Sequence, residues 1–134
     1  MTAREMMGKV KATKKGAKLR DIAMRLLSGE YSSLPVVDDD GKVVGVISEF
    51  DILKASRAGR GMDDTTAGDV MTKDPVCVDE EMSVDALIDL MTEKHLIRVP
   101  VVRGGVLVGA ISRSNILDSM TYHEFKESFW VLRG

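Results

Sequence analysis

Aromatic side chains make up only 4% of this chain, although 44% of its residues are hydrophobic. Its core must therefore be aliphatic, filled by Val, Ile, Leu and nine Met. A single cysteine, Cys77, excludes an intrachain disulfide. It sits in an apolar run and reads as a small buried hydrophobe rather than a reactive thiol. No apolar stretch approaches the ~18 residues needed to cross a membrane. The N-terminus also lacks the apolar run of a secretory signal, so a soluble cytoplasmic protein is expected. Positive charge is not in excess: the formal net charge is −2. That argues against nucleic-acid binding through bulk positive charge. The two histidines, His95 and His123, are far apart, and with one cysteine they form no metal set. No nucleophile, base and orienting group stand together, so no enzyme is expected. The run Asp38-Asp39-Asp40-Gly41 lacks the alternating ligands and closing Glu of a calcium loop, and reads as a solvated hairpin turn.

What the chain does contain is a repeat. LPVVDDDGKVVGVISEFDIL, Leu34 to Leu53, returns as VPVVRGGVLVGAISRSNIL, Val99 to Leu117, one residue shorter in the turn. Pro35 matches Pro100, Gly45 matches Gly109, Ser48 matches Ser112 and Asp51 matches Asn115. Each copy reads as strand, helix, strand, strand, helix. In the first, Lys9 to Thr13 alternates as a strand, and Leu19, Ile22, Ala23 and Leu26 fall at helical spacing. Leu34 to Val37 and Lys42 to Ile47 flank an Asp40-Gly41 turn, and a helix opens at Ser48. In the second, Val76 to Val78 is the strand, and Val84, Leu87, Ile88 and Met91 carry the helical stripe. Val99 to Val102 and Val106 to Ile111 form the hairpin, and the closing helix runs from Ser112 to Met120.

The expected organisation is a first repeat over residues 1–60, a linker over 61–68, a second repeat over 69–120, and an aromatic tail over 121–134. Asp69-Val70-Met71 reads as a short docking helix, with Arg4-Glu5-Met6 as its counterpart. A three-stranded sheet with two helices cannot bury its apolar faces alone. The expected fold class is therefore mixed α+β: two β-α-β-β-α repeats packed sheet to sheet about a pseudo-twofold axis. The tail holds Tyr122, Phe125, Phe129 and Trp130, and is expected to pack against the body or a second subunit. A target-binding segment is the alternative. Charge divides unevenly: Lys9, Lys11, Lys14, Lys15, Lys18 and Arg20 crowd the first copy, while Asp74, Asp79, Glu80, Glu81 and Asp85 mark the second. The basic cluster reads as a solvated face; the sharper reading has Lys14, Lys15 or Lys18 reach a phosphate or an acidic partner.

The informative junctions are GVISEFD, Gly45 to Asp51, and GAISRSN, Gly109 to Asn115. Each ends a strand at a hydroxyl residue and opens a helix. The glycine admits close approach of a backbone or flat ligand. The helix terminus favours an anion, and Asp51 or Asn115 turns back over it. The same spacing makes a capping box, with Ser48 or Ser112 as the cap. A cap requires neither the glycine nor the neighbouring apolar-Pro-Val-Val strand, and both recur.

On these marks, from about Met1 to Met120, the chain resembles a tandem pair of CBS domains, the module first named for cystathionine β-synthase. The resemblance implies two clefts that often take adenosine-containing ligands. It implies that Asp51 and Asn115 read the ribose, and that Ser48 and Ser112 lie near phosphate. Val46, Ile47, Ala110 and Ile111 would wall the adenine. The strand ends at Ala12-Thr13 and Cys77-Val78 would offer backbone groups to the base. Arg98 stands where the family often has a phosphate-binding basic residue, whereas the first copy has Ser33. Arg113 lies beside the second motif and favours a phosphate there. Asn115 replaces the commoner Asp, and an amide bonds a hydroxyl without charge.

The expected function is regulatory sensing of AMP, ADP or ATP, with no required cofactor, no metal and no membrane. A homodimer and an effector protein are the expected partners. The alternatives are an interaction or dimerisation scaffold without a small ligand, and a binder of S-adenosylmethionine or nucleic acid.

Overall fold

The computed structural model describes residues 1–29 and 31–121. The aromatic tail and His123 lie outside them. The elements run α1 (Ala3–Met6), β1 (Thr13–Lys14), α2 (Leu19–Gly29), β2 (Ser33–Val37), β3 (Val43–Ser48) and α3 (Glu49–Arg57). They continue α4 (Ala67–Val70), β4 (Thr72–Lys73), β5 (Val78–Asp79), α5 (Val84–Glu93), β6 (Arg98–Arg103) and β7 (Val106–Ser112). Residues 113–121 are helical. The fold is α+β, with one sheet ordered β1-β2-β3-β4 and another ordered β5-β6-β7.

Local chemistry explains the elements. Leu19, Ile22 and Leu26 are buried on one face of α2, as Leu87 and Met91 are on α5. In β2 the residues from Leu34 to Val37 are all buried, so this strand has no polar face. The first hairpin turns on Asp38, whose Oδ1 accepts from the amides of Asp40 and Lys42, both at 2.9 Å. Gly41 there takes φ +81°, a conformation that disfavours any Cβ.

Two aliphatic cores result. One gathers Leu19, Ile22, Leu34, Val36 and Ile47; the other gathers Val78, Leu87, Val99, Val101 and Ile111. The register shows how they relate. Lys42 and Val106, equivalent residues of the two copies, bridge one another. Val43 donates to the Gly105 carbonyl at 3.2 Å, and the equivalent Leu107 donates to the Gly41 carbonyl at 3.0 Å. A pair of equivalent residues that meet, flanked by reciprocal bonds, lies on a pseudo-twofold axis.

The two short docking helices are exchanged between the copies. Ala3 and Met6 of α1 are buried in the second core, and the Gly8 amide donates to the Ala110 carbonyl of β7 at 2.9 Å. Ala67 of α4 is buried in the first core, and β4 pairs with β3. The first sheet therefore gains a strand from the chain that enters the second copy, making four where three were expected. Arg4-Glu5-Met6 serves the second copy rather than its own. The first strand is also shorter than the alternation suggested. It is confined to Thr13–Lys14, because the preceding segment leaves to cross onto β7. Its counterpart is Val78–Asp79 rather than Val76 to Val78.

Candidate functional site

The repeated junctions have nearly identical geometry. Asp51 Oδ2 accepts from the Ser48 amide at 2.8 Å and from Ser48 Oγ at 3.0 Å, while the Asp51 amide donates to Ser48 Oγ at 3.2 Å. Asn115 Oδ1 makes the same set with Ser112, at 2.8, 3.0 and 3.2 Å. The capping box is thus complete in both copies, and an amide oxygen serves it as well as a carboxylate. The cap uses one polar atom of each side chain. Asp51 Oδ1 and Asn115 Nδ2 have no partner among the described residues, so a carboxylate acceptor remains in one copy and an amide donor in the other.

The glycines have a spatial reason. A Cβ on Gly45 would stand 2.5 Å from Met71 Sδ and 2.9 Å from the Thr72 carbonyl oxygen. On Gly109 it would stand 2.6 Å from Met7 Sδ and 3.0 Å from the Gly8 carbonyl oxygen. Each glycine makes room for the exchanged segment of the other copy.

Strand alternation divides the residues expected at the adenine wall. Val46 and Ala110 face a cavity between the sheets, which Pro35 and Pro100 also line. Ile47 and Ile111 point the opposite way and are fully buried in the two cores. The period of two along a strand makes this unavoidable, so they support the wall without forming it. Thr13 and Val78 are buried where β1 and β5 pair with β2 and β6, at equivalent places in the two sheets.

Arg98 also faces the inter-sheet cavity, as do Lys11 and Tyr31. Its guanidinium lies 5.4 Å from the centre of the Tyr31 ring, and its Nη2 donates to the Lys9 carbonyl at 3.4 Å. Arg113 lines neither of the spaces that Arg98 borders. Its Nε donates to the Leu96 carbonyl at 2.9 Å, and it borders a separate apolar groove between α5 and the helix at 113–121. A wider groove beside the cavity joins Ser48 and Ser112, with Ser33, Phe50, Tyr31 and Arg98 along its walls.

Of the basic cluster only Lys11 lines the cavity. Lys14 instead reaches the Asp38 carbonyl and Asp39, and Arg20 makes two bonds to Asp63 at 2.7 and 2.9 Å. Burial pushes the Cys77 thiol up, which leaves it a poor nucleophile. Sequence reasoning missed Tyr31, Lys11 and Ser114, whose Oγ lies 2.8 Å from that of Ser112. The signal for Tyr31 was available: it and Phe50 are the only aromatics ahead of the tail.

No helix among the described residues is long and apolar enough to cross a membrane. The chain is 30% identical over 97 residues to the uncharacterized protein YlbB of Bacillus subtilis (strain 168), which covers 72% of this chain and 66% of that protein. It spans 66%, 53% and 18% of the lengths of three of the curated relatives it matches. Among solved structures, it resembles CBSX2 of Arabidopsis thaliana in complex with AMP, with a TM-score of 0.82 and 25% identity over 92% of this chain and 98% of that one. It also resembles the CBS domain pair of protein MJ0100 in complex with 5'-methylthioadenosine and S-adenosyl-L-methionine, with a TM-score of 0.74 and 25% identity over 92% of this chain and 98% of that one. The family model of the CBS domain matches twice, over residues 3–58 and 67–122. The chain belongs to the CBS domain family and carries two CBS domains in tandem.

Proposed function

We propose that this CBS pair is a non-catalytic regulatory module that binds an adenosine-containing ligand in the clefts between its copies. The observation that carries the reading is the spare polar atom at each junction. Asp51 and Asn115 complete their caps and still hold one group free; their cap partners Ser48 and Ser112 line a groove that adjoins an apolar cavity walled by Val46 and Ala110. A ribose offers hydroxyls to such a group, and a base offers a flat face to such a wall. AMP on CBSX2, and methylthioadenosine with S-adenosylmethionine on MJ0100, support the ligand class. AMP, ADP or ATP is the ligand proposed here, because Lys11 and Arg98 supply positive charge at the cavity. Ligand binding signals only by favouring one arrangement of the copies or subunits over another.

The exposed apolar residues Met24, Leu27, Phe50, Leu53, Leu117 and Met120 belong to helices of both copies. They support a homodimer, through which binding is relayed to an effector protein. They equally favour a second reading, a dimerisation scaffold whose heptads are caps alone.

Titration calorimetry with AMP, ADP, ATP and S-adenosylmethionine separates the two. Under the first reading Asp51→Ala weakens nucleotide binding about tenfold and Asn115→Ala less, as charged and neutral hydrogen bonds differ. Heat from none of the four ligands would leave the scaffold standing.

A further inference from the structure

We infer that Arg98 and Tyr31 form a gate that holds one ligand cleft shut until a phosphate draws Arg98 away. The inference rests on the nucleotide reading above and adds to it a mechanism of selection. The inter-sheet cavity lined by Val46, Pro100 and Ala110 has a volume of about 40 Å³. A cavity of ~150 Å³ is what holds benzene, so this one is too small for a purine. The neighbouring groove that joins Ser48 and Ser112 is wide and open. Tyr31, Ser33 and Arg98 border both spaces, and Arg98 is stacked 5.4 Å from the Tyr31 ring centre. The stack is therefore the partition. Nη2 of Arg98, donating to the Lys9 carbonyl at 3.4 Å, ties it to the segment that crosses onto β7.

Opening the partition joins an apolar pocket to a polar groove, which suits a base at one end and a phosphate at the other. The cost of opening is the lost stack and the lost bond to Lys9. A nucleotide recovers it, because its phosphate accepts from the freed guanidinium, whose partner across the β6–β7 ladder is Ser112. Adenosine offers Arg98 only neutral acceptors and no phosphate, and recovers less of the cost. The apparent affinity of any ligand falls by the fraction of time the gate is open.

The sister copy supplies the control. Leu96 stands at the place of Tyr31, and Ser33 at the place of Arg98. The equivalent position on the other side of the axis thus has neither half of the gate. Tyr31→Leu and Arg98→Ser convert each residue into its own counterpart.

The test is calorimetry of AMP and adenosine on the full chain and on Tyr31→Leu, Arg98→Ser and the double variant. Proton–nitrogen spectra of the Arg98 Nε–H accompany it. The gate predicts that Tyr31→Leu tightens both ligands about two- to fivefold, the range of an exposed cation–π contact. Arg98→Ser tightens adenosine and weakens AMP. The double variant binds adenosine no better than Arg98→Ser alone, since one gate is removed once. The Arg98 Nε–H is shielded by the ring in the free protein, and loses that shielding with AMP and in Tyr31→Leu.

If AMP binds the wild type while both single variants leave adenosine affinity unchanged, Arg98 is a plain phosphate ligand and the gate is overturned. Persistent ring shielding with AMP bound overturns it equally. Silence of every protein toward both ligands overturns the nucleotide reading and the gate with it. Adenosine binding by the variants alone supports the gate.

Discussion

At the root of its hairpin the second copy clamps Arg103 to Glu80 through two bonds, of 2.7 and 3.0 Å. The first copy has at this edge only Lys14, one exposed amine 3.4 Å from Asp39. The sense of the pair is reversed: the cation comes from β1 in one copy and from β6 in the other. The Arg103 fork meets both carboxylate oxygens, and the Glu80 side chain is 9% exposed; Asp39 stands fully in solvent. The backbone plan tolerates either polarity, so the repeat is conserved in shape and free in charge. The same pattern holds at the clefts. Ser48-Asp51 and Ser112-Asn115 superpose bond for bond, while Tyr31 and Ser33 face Leu96 and Arg98 across the axis. The junction bonds are the same in both copies, and the residues around the inter-sheet cavity differ.

The strongest way to break this comparison is at the cores. Ile22 and Leu87 are equivalent and fully buried. Ile22→Ala and Leu87→Ala should each cost about 2–5 kcal/mol. Denaturant unfolding should show one transition lowered by either change, because each core is completed by a helix from the other copy. Two separate transitions, each sensitive to one substitution, would show that the copies fold independently.

The glycines give an intermediate effect. Gly45→Ala and Gly109→Ala should each cost about 1–3 kcal/mol, the ordinary price of overpacking. Both place a Cβ against a methionine sulfur and a carbonyl oxygen of the crossing segment. Equal losses of thermal stability confirm the symmetry of the exchange; a loss in only one copy would refute it.

The smallest effect sharpens the difference in charge. The hydrogen bonds from Arg103 hold the Glu80 carboxyl below the usual carboxylate range, against the opposing effect of burial. A carboxyl depressed in the folded state stabilises at pH above its unfolded value of ~4.3, and that stability is lost as pH falls through the lower folded value. Glu80→Gln should therefore flatten the fall in stability on acidification below about pH 5. Lys14→Ala should leave the melting temperature unchanged within error. An acid limb identical to wild type in Glu80→Gln would remove the distinction.

Much of this was legible because the repeat can be read in register. Equivalent apolar residues marked the helices, and the paired Pro-Val-Val strands marked the hairpins. The exchange was not legible. A four-residue helix such as α1 carries one or two apolar residues, and nothing in their spacing names the sheet they cover. The cleft was read in part. Ser48, Asp51, Ser112 and Asn115 were visible as motifs, and their bonds follow from the spacing. Ile47 and Ile111 were drawn to the cleft by adjacency, although strand alternation sends them to the cores. Arg113 was placed by the same adjacency and bonds Leu96 instead. Tyr31 was overlooked because it precedes β2 and belongs to no motif.

The crossed arms also bear on how such a chain can arise and be taken apart. The segment over residues 58–66 is anchored on the first copy, where Met62 packs against the core and the Met62 and Thr65 carbonyls accept from the first amides of α2; it also keeps two halves at high effective concentration. Cut there, the halves still hold each other's missing helix, α1 on one side and α4 on the other. An ancestral gene with a single copy would yield a protein that paired with itself by trading arms. Fusion of two such genes would then have changed concentration dependence before it changed any contact. Mixing separately expressed halves and recovering one folded complex would reproduce that history in the test tube.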